Sequence, residues 1–403
     1  MHYTFSFFKC IFWVNILFKK DILMGNYDVI VVGGGPAGST AARGCAERGF
    51  KTLLIDKAVF PRYKPCGGAL SFRTVNSLGF EIPQEIIEAE CKGVNVYYKG
   101  GMATYKREGR VALMVSREKF DNLLFEMAKE RGCITLTGER VVSVESSGGY
   151  IKINTEKGTY LARFVVGADG ANSIVSRFIN GTSHKEFLSA TAFVSKFTFP
   201  SQGGVFEKEF LNFYFGDVYG GYAWVFPHGG YLSAGIWGLN WFDSTPINSM
   251  KKFLRSHNFS TDNIIGHKMP LWDRRRKICD NRILLSGDTG GFIDSFSGEG
   301  IYNAILSGRI AAESIADSLV KGELAEDNYK KRCYNLFANN LKYSVYFSRL
   351  IFKFPEFFLK RFVIDNSLLM QYIEDQASIT SYKDYIKYFV GMMKGSSPSV
   401  KCG

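Results

Sequence analysis

The sequence predicts an α/β + β protein with a discontinuous Rossmann-type domain, an antiparallel-sheet domain set into it and a helical C-terminal region. Three observations carry this prediction. A strand, a glycine turn, a helix and a second strand open the chain proper at Tyr27, and strand-to-Gly-Asp turns recur near residues 167 and 287. Between those turns, GGYAWVFP (220–227) alternates aromatic residues at the period of a strand. The expected boundaries are 24–90, 112–185 and 267–318 for the Rossmann-type domain, 91–111 and 186–266 for the sheet domain, and 319–403 for the tail.

Residues 1–23 stand apart. Their apolar run from Thr4 to Phe18 is interrupted by Lys9 and Asn15 and falls short of the roughly 20 residues that span a bilayer. No secretory cleavage pattern follows. The segment reads either as an upstream mis-start with Met24 as the initiator, or as an interfacial anchor backed by Lys19 and Lys20.

The first β-α-β unit is YDVIVVGGGPAGSTAARGCAERGFKTLLIDK, with strands at Val29–Val32 and Thr52–Ile55. Gly33 makes the tight turn and Gly35 admits a pyrophosphate. Pro36 and Ala37 open the helix, and Gly38 lets it pack on the strand. The helix N-terminus favours an anion, and Asp56, followed by Lys57, is placed to accept from a ribose diol. The chain is therefore expected to bind a dinucleotide. VVGADGANSIVSR (165–177) ends another strand in Asp169-Gly170, which alone is also compatible with an ordinary Asp-Gly turn. A third strand ends at Gly287-Asp288, followed by a glycine-rich loop with Gly290 and a long helix opening at Gly300-Ile301.

These three segments resemble the fingerprints of the FAD-dependent hydroxylase superfamily, in which the last Asp holds the FAD ribityl chain and the helix after it faces the flavin. The resemblance implies a discontinuous FAD-binding domain and places Arg117, at the start of the helix in SREKFDNLL, near the cofactor phosphates. By itself Arg117 also reads as a solvated helix-end arginine. KPCGGALS (64–71), preceded by FPRY, and the Tyr222, Trp224, Phe226, Pro227 pattern resemble the PCGG and YxWxFP segments of the geranylgeranyl reductase family. That resemblance extends from Tyr27 to about Ile315 and covers the tail only as a generally helical region. Where the family often carries proline in the loop after Gly-Asp, this chain has Ser295.

The resemblance implies an FAD enzyme that saturates carbon–carbon double bonds of a geranylgeranyl or polyprenyl chain on a lipid, quinone or pyrophosphate head. Gly67 and Gly68 would let the main chain approach the flavin ring, with Cys66 at the reacting face. Tyr222 and Trp224 would stabilise cationic charge on the alkene while reduced FAD gives hydride, and reduced flavin or Cys66 would supply the proton. Tyr222, Trp224, Phe226 and Pro227 would line the substrate. NAD(P)H or reduced ferredoxin is the expected donor, and no second Rossmann unit follows Asp56 to hold a nicotinamide. Cys66 as a small core residue and the aromatic stripe as plain packing stay open. So do two other functions on this fold: a monooxygenase or halogenase, and a non-catalytic flavin or isoprenoid carrier.

Composition bounds the partners. A net charge of +12 favours anions, and with 35 Phe and 21 Tyr it points to lipid rather than nucleic acid. The eight cysteines are scattered without a CxxC pair or a metal-ligand cluster, which suits a reducing, cytoplasmic setting. The tail stretch YSVYFSRLIFKFPEFFLKRFV (343–363) mixes aromatics with Arg349, Lys353, Lys360 and Arg361, and Pro355 divides it. It reads as a membrane-surface segment or as two core-packing helices. The expected protein is a monomer, peripheral on an anionic membrane face.

Overall fold

A computed structural model describes residues 26–181, 187–198, 206–243, 246–364, 373 and 381–393. Segment 1–23 and Met24 lie outside the described residues.

The apolar run after Asn26 forms β1 (Asn26–Val32), which pairs in parallel with β2 (Thr52–Asp56) and with β11 (Thr159–Gly167). Parallel pairing buries both faces, which is why β2 and the ends of β1 and β11 nearest the turns carry almost no polar residues. With β8 (Ile134–Thr137), β9 (Val141–Ser147), β10 (Tyr150–Thr155), β17 (Cys279–Asp280) and β18 (Ile283–Leu285) they make an eight-stranded sheet. Helix α1 (Pro36–Ala46) lies beside α3 (Arg117–Glu130) and α6 (Ile301–Lys321). The approach of α1 and α6 is close enough that a Cβ on Gly308 would lie 2.3 Å from the Ala37 carbonyl oxygen.

A second sheet has seven strands, in the order β16 (Ile265–Pro270), β12 (Ser189–Thr198), β15 (Tyr231–Leu239), β14 (Gly221–Pro227), β13 (Phe210–Phe215), β5 (Gly93–Tyr98) and β6 (Gly101–Lys106). It was expected to be antiparallel, and every pair is except β13 with β5, which run parallel. The exception follows from topology: the strands come from two stretches of chain about a hundred residues apart, so no hairpin sets their direction. β16 also carries this sheet to Pro270, past the expected boundary at 267. A small third sheet joins β3 (Ala69–Ser71), β7 (Ala112–Val115) and β4 (Ile87–Cys91).

Pro355 starts a new helix, as expected, between α8 (Asn339–Lys353) and α9 (Pro355–Ile364); α10 (Tyr382–Met393) follows. Of the two readings of this stretch, core packing accounts for Phe347, Phe352 and Phe358, which are buried in the same core as Trp237 and Phe296. Tyr346, Phe354 and Phe357 remain exposed. No helix among the described residues is long and apolar enough to cross a membrane.

Candidate active site

A cavity of about 820 Å³ runs from the glycine turn after β1 to the aromatic face of the seven-stranded sheet. Gly33 sits at φ +102°, where a Cβ would lie 2.2 Å from the Ala168 carbonyl oxygen, and a Cβ on Gly38 would strike the Gly33 carbonyl. Both are glycines for packing reasons. Gly35 differs: the space where its Cβ would point holds only Arg62 Nη2, at 3.5 Å. The turn is thus braced on two sides and open on the third, toward the cavity that Pro36 and Ala37 also line. Asp56 completes the brace by accepting from Gly34 N (2.7 Å) and Ala58 N (2.7 Å). Lys57 stands at the rim.

Asp169 and Gly170 reach the same cavity. The Asp169 carboxylate accepts from Ile174 N (2.7 Å) and from the hydroxyl of Ser173, the residue that caps the short helix α4 (Ile174–Asn180) by accepting from Ser176 N. Burial nevertheless pushes its carboxyl up. Gly170, at φ +80°, donates its N–H to Thr289 Oγ1 at 2.8 Å and ties this turn to the third one. There, burial opposes ionisation of Asp288, but His267, Lys64 and Arg117 outweigh it and hold the carboxyl below its usual range. Lys64 Nζ lies 2.6 Å from His267 Nε2, which is 3.7 Å from Asp288 Oδ2. Burial brings the Lys64 ammonium down to about 8. Gly300 and Ile301, at the head of α6, also line the cavity.

Arg117 is not a solvated helix end. It pairs with fully buried Asp121 at 2.8 and 2.9 Å, and Arg62 reaches the same carboxylate at 3.0 Å. One carboxylate between two guanidiniums leaves excess positive charge beside the glycine turn, and Arg62 Nη1 is buried without a hydrogen-bond partner. An open glycine turn, an acid at the end of β2, surplus cation and a helix N-terminus fit the diphosphate, ribose and ring of FAD.

The far half of the cavity is aromatic. On β14, Tyr222, Trp224 and Phe226 face inward with Phe213, Phe215, Trp237 and Phe296. Tyr222 stacks on Trp237 at 5.6 Å and Trp224 on Phe226 at 5.9 Å. The Tyr222 hydroxyl donates to the Ser297 carbonyl, and the Trp224 indole N–H is buried without a partner. Cys66 borders this half, and its Sγ accepts from Gly68 N at 3.4 Å. The two glycines after it line the cavity and are also crowded by the protein itself. A Cβ on Gly67 would meet Phe226 at 3.0 Å and Trp224 at 3.2 Å, and one on Gly68 would meet His228 at 2.6 Å. Gly68 is thus required by the His228 ring, the Val115 carbonyl oxygen and its own φ of +80°, while at Gly67 the two rings would have to give by a few tenths of an ångström.

Three expected site residues do not line the cavity. Gly38 faces the turn, Gly290 packs on the Phe292 ring, and Pro227 ends β14 opposite Leu232. Sequence reasoning missed Arg62, Lys64, His267, Trp237 and the Arg73–Glu299 ion pair (2.7 Å), all of which border it. Of these, only Arg62 and Lys64 had a signal, being charged residues inside the quoted loop. Ser295 donates its N–H to Ser344 Oγ at 3.1 Å, a bond proline would forfeit.

Comparison with known proteins agrees with this geometry. Residues 26–211 match the FAD binding domain family. Together the fold and the cradle define an FAD-dependent oxidoreductase. The chain is 33% identical over 320 residues to the geranylgeranyl diphosphate reductase of Rhodobacter capsulatus, covering 74% of this chain and 78% of that one. It is 30% identical over 358 residues to an uncharacterized protein of Methanosarcina barkeri, covering 87% and 89%. A solved geranylgeranyl bacteriochlorophyll reductase-like protein from Thermoplasma acidophilum superposes with a TM-score of 0.71 at 26% identity, over 80% of this chain and 86% of that one. The chain belongs to the geranylgeranyl reductase family and acts on carbon–carbon double bonds. The flavin-dependent brominase Bmp2, at 18% identity and a TM-score of 0.65, shares the fold alone.

Proposed function

We propose that this protein saturates the double bonds of a polyprenyl chain carried on a polar head, with the chain lying along Phe213, Tyr222, Trp224, Phe226 and Trp237. One observation carries the reading: the open glycine turn and the aromatic wall face one cavity, with Cys66 among the residues that line it. Bound and reduced, FAD supplies a hydride equivalent. An isolated alkene has no carbonyl to polarise it, so the protein must stabilise positive charge on the more substituted carbon. The ring faces of Tyr222 and Trp224 supply about 1–2 kcal/mol of such attraction in a dry site. Burial pushes the Tyr222 phenol well above its ordinary range, so it stays neutral there and holds the 294–299 loop rather than giving up a proton. Cys66 is the thiol placed to deliver one. The electron donor is NAD(P)H or a reduced ferredoxin.

The exposed Tyr346, Phe354 and Phe357, with exposed Lys353, Lys360 and Arg361 around them, suit peripheral attachment to an anionic membrane, where the substrate resides. The test is strictly anaerobic incubation of dithionite-reduced holoenzyme with geranylgeranyl compounds on different heads. The expected product gains two hydrogens per double bond. Unchanged substrate throughout, with a hydroxylated or halogenated product on admitting oxygen, overturns the reading.

A further inference from the structure

Behind the Cys66–Gly68 loop, on the side away from the cavity, lies a buried polar cluster that the reaction described above does not use. His228, the residue after the β14 aromatic run, is 3% exposed. Its Nε2 lies 3.0 Å from the Gly67 carbonyl oxygen and its Nδ1 2.6 Å from Glu88 Oε2. The Tyr231 hydroxyl donates to the same Glu88 oxygen at 3.0 Å, and the Tyr231 ring stacks on the imidazole with centroids 4.4 Å apart.

A carbonyl oxygen only accepts, so Nε2 carries a hydrogen and donates it to Gly67. In a neutral ring Nδ1 would then be an acceptor, facing a carboxylate that is also an acceptor. A separation of 2.6 Å between them therefore requires a proton shared by His228 and Glu88, and that contact is a charge-assisted hydrogen bond. Tyr231 does not supply the proton: burial first, and Glu88 second, push its phenol up, so it stays a donor to Glu88. The remaining titratable groups facing the cluster are Tyr63 and Cys66 from the loop and Lys196 of β12, whose ammonium lies over the Tyr231 ring at 4.6 Å and the Tyr63 ring at 5.6 Å.

We infer that His228 is a positioning residue: the proton it shares with Glu88 latches the Gly67 carbonyl and so fixes where Cys66 stands against the cavity. The latch holds while both imidazole nitrogens carry hydrogen; a ring left with a single hydrogen in alkaline solution gives it to Glu88 through Nδ1 and turns the bare Nε2 toward the Gly67 carbonyl, which opens the latch. Gly68 adds a steric part, since its backbone at φ +80° leaves no room for a Cβ beside the imidazole. The inference relies on the proposed function only in setting the loop beside the flavin; the latch itself is read from protein atoms.

The test uses FAD-loaded enzyme and follows the rate of Cys66 alkylation by iodoacetamide, read on the Cys66 peptide by mass spectrometry, so no isoprenoid is needed. His228→Asn keeps a polar group opposite Glu88 but cannot reach Gly67. Glu88→Gln can donate to Nδ1 while Nε2–H still holds Gly67, a latch without a removable proton. His228→Asn is expected to speed alkylation about tenfold, the size of one lost charge-assisted bond. The ratio of wild-type to Glu88→Gln rates should rise with pH, which cancels the ionisation of the thiol itself. A folded, flavin-loaded His228→Asn within twofold of wild type, or a ratio flat from neutral to alkaline pH, overturns the latch. Failure of the double-bond assay alone would leave it standing and count against the proposed substrate.

Discussion

Gly235→Ala is the sharpest test of where the aromatic wall stands. Gly235 of β15 pairs across the strands with Trp224 of β14, and a Cβ there would lie 2.3 Å from Trp224 Cζ2 and 2.4 Å from the Phe193 carbonyl oxygen. Against ordinary contact near 3.5–4 Å, each overlap exceeds 1 Å. The carbonyl belongs to a paired strand and has little freedom, so the indole must swing away. Overpacking of this kind costs about 1–3 kcal/mol, and a backbone obstacle on one side puts this case at the upper end. A thermal midpoint lower by several degrees follows, at about 2–4 °C per kcal/mol for domains of 150–250 residues. Adding Trp224→Leu removes the ring overlap but not the carbonyl one, so the double variant should recover about 1 kcal/mol or more relative to additivity. Reductase turnover should fall in both. Differential scanning calorimetry of the four proteins measures the cycle. An unchanged midpoint for Gly235→Ala, or strict additivity, would show that Trp224 does not lie over the gap in β15.

Other tests address the cofactor, the charge cluster and the surface. Asp288→Ala should weaken FAD binding about 10- to 100-fold, the worth of a charge-assisted hydrogen bond, as read by flavin fluorescence on titration; affinity within twofold of wild type would remove Asp288 from the cofactor site. Because burial brings Lys64 to about 8, below the roughly 10.4 of an unfolded lysine, the unfolded chain binds more protons between those values. Apo-protein stability should therefore rise with pH over that window. Lys64→Gln should flatten the rise in urea midpoints measured from pH 7 to 10, and an unaltered slope refutes the assignment. A chain starting at Met24 should float with anionic liposomes and detach at high salt, at about 1 kcal/mol per basic residue near the surface; no binding to anionic or neutral vesicles would show that the exposed aromatics of α8 and α9 are only solvated surface.

What was legible in the sequence was local. The glycine turn, Asp56 and the Gly-Asp turn at 288 each close a strand at a recognisable spacing, which betrays them even where the contacts that need them are distant, as between Gly33 and Ala168. Contacts between distant segments were not. Lys64 meets His267 across 203 positions and Arg73 meets Glu299 across 226, and nothing in either segment names its partner. Gly67 shows the intermediate case: its lack of a side chain was visible, but the Trp224 and Phe226 rings that crowd it were on another strand. In the tail, mixed aromatic and basic residues looked like a membrane face because the helix pattern does not say what lies opposite. Once Phe347 and Phe352 are seen against Phe296, half of that face belongs to the interior.

The brace between Ser344 and Ser295, and the bond from the Tyr382 hydroxyl to Asp294 at 3.0 Å, give the site an order in time. The turn at Gly33–Gly38 leaves the ribosome early, and domains take shape as they emerge. The loop that ends at Gly300 has to wait for two side chains made dozens of residues later. A chain ending before residue 344 has all three glycine turns but lacks both hydroxyls that anchor residues 294 and 295 beside them. Truncation of the C-terminal helices therefore removes an anchor of the site, not an appendage to it.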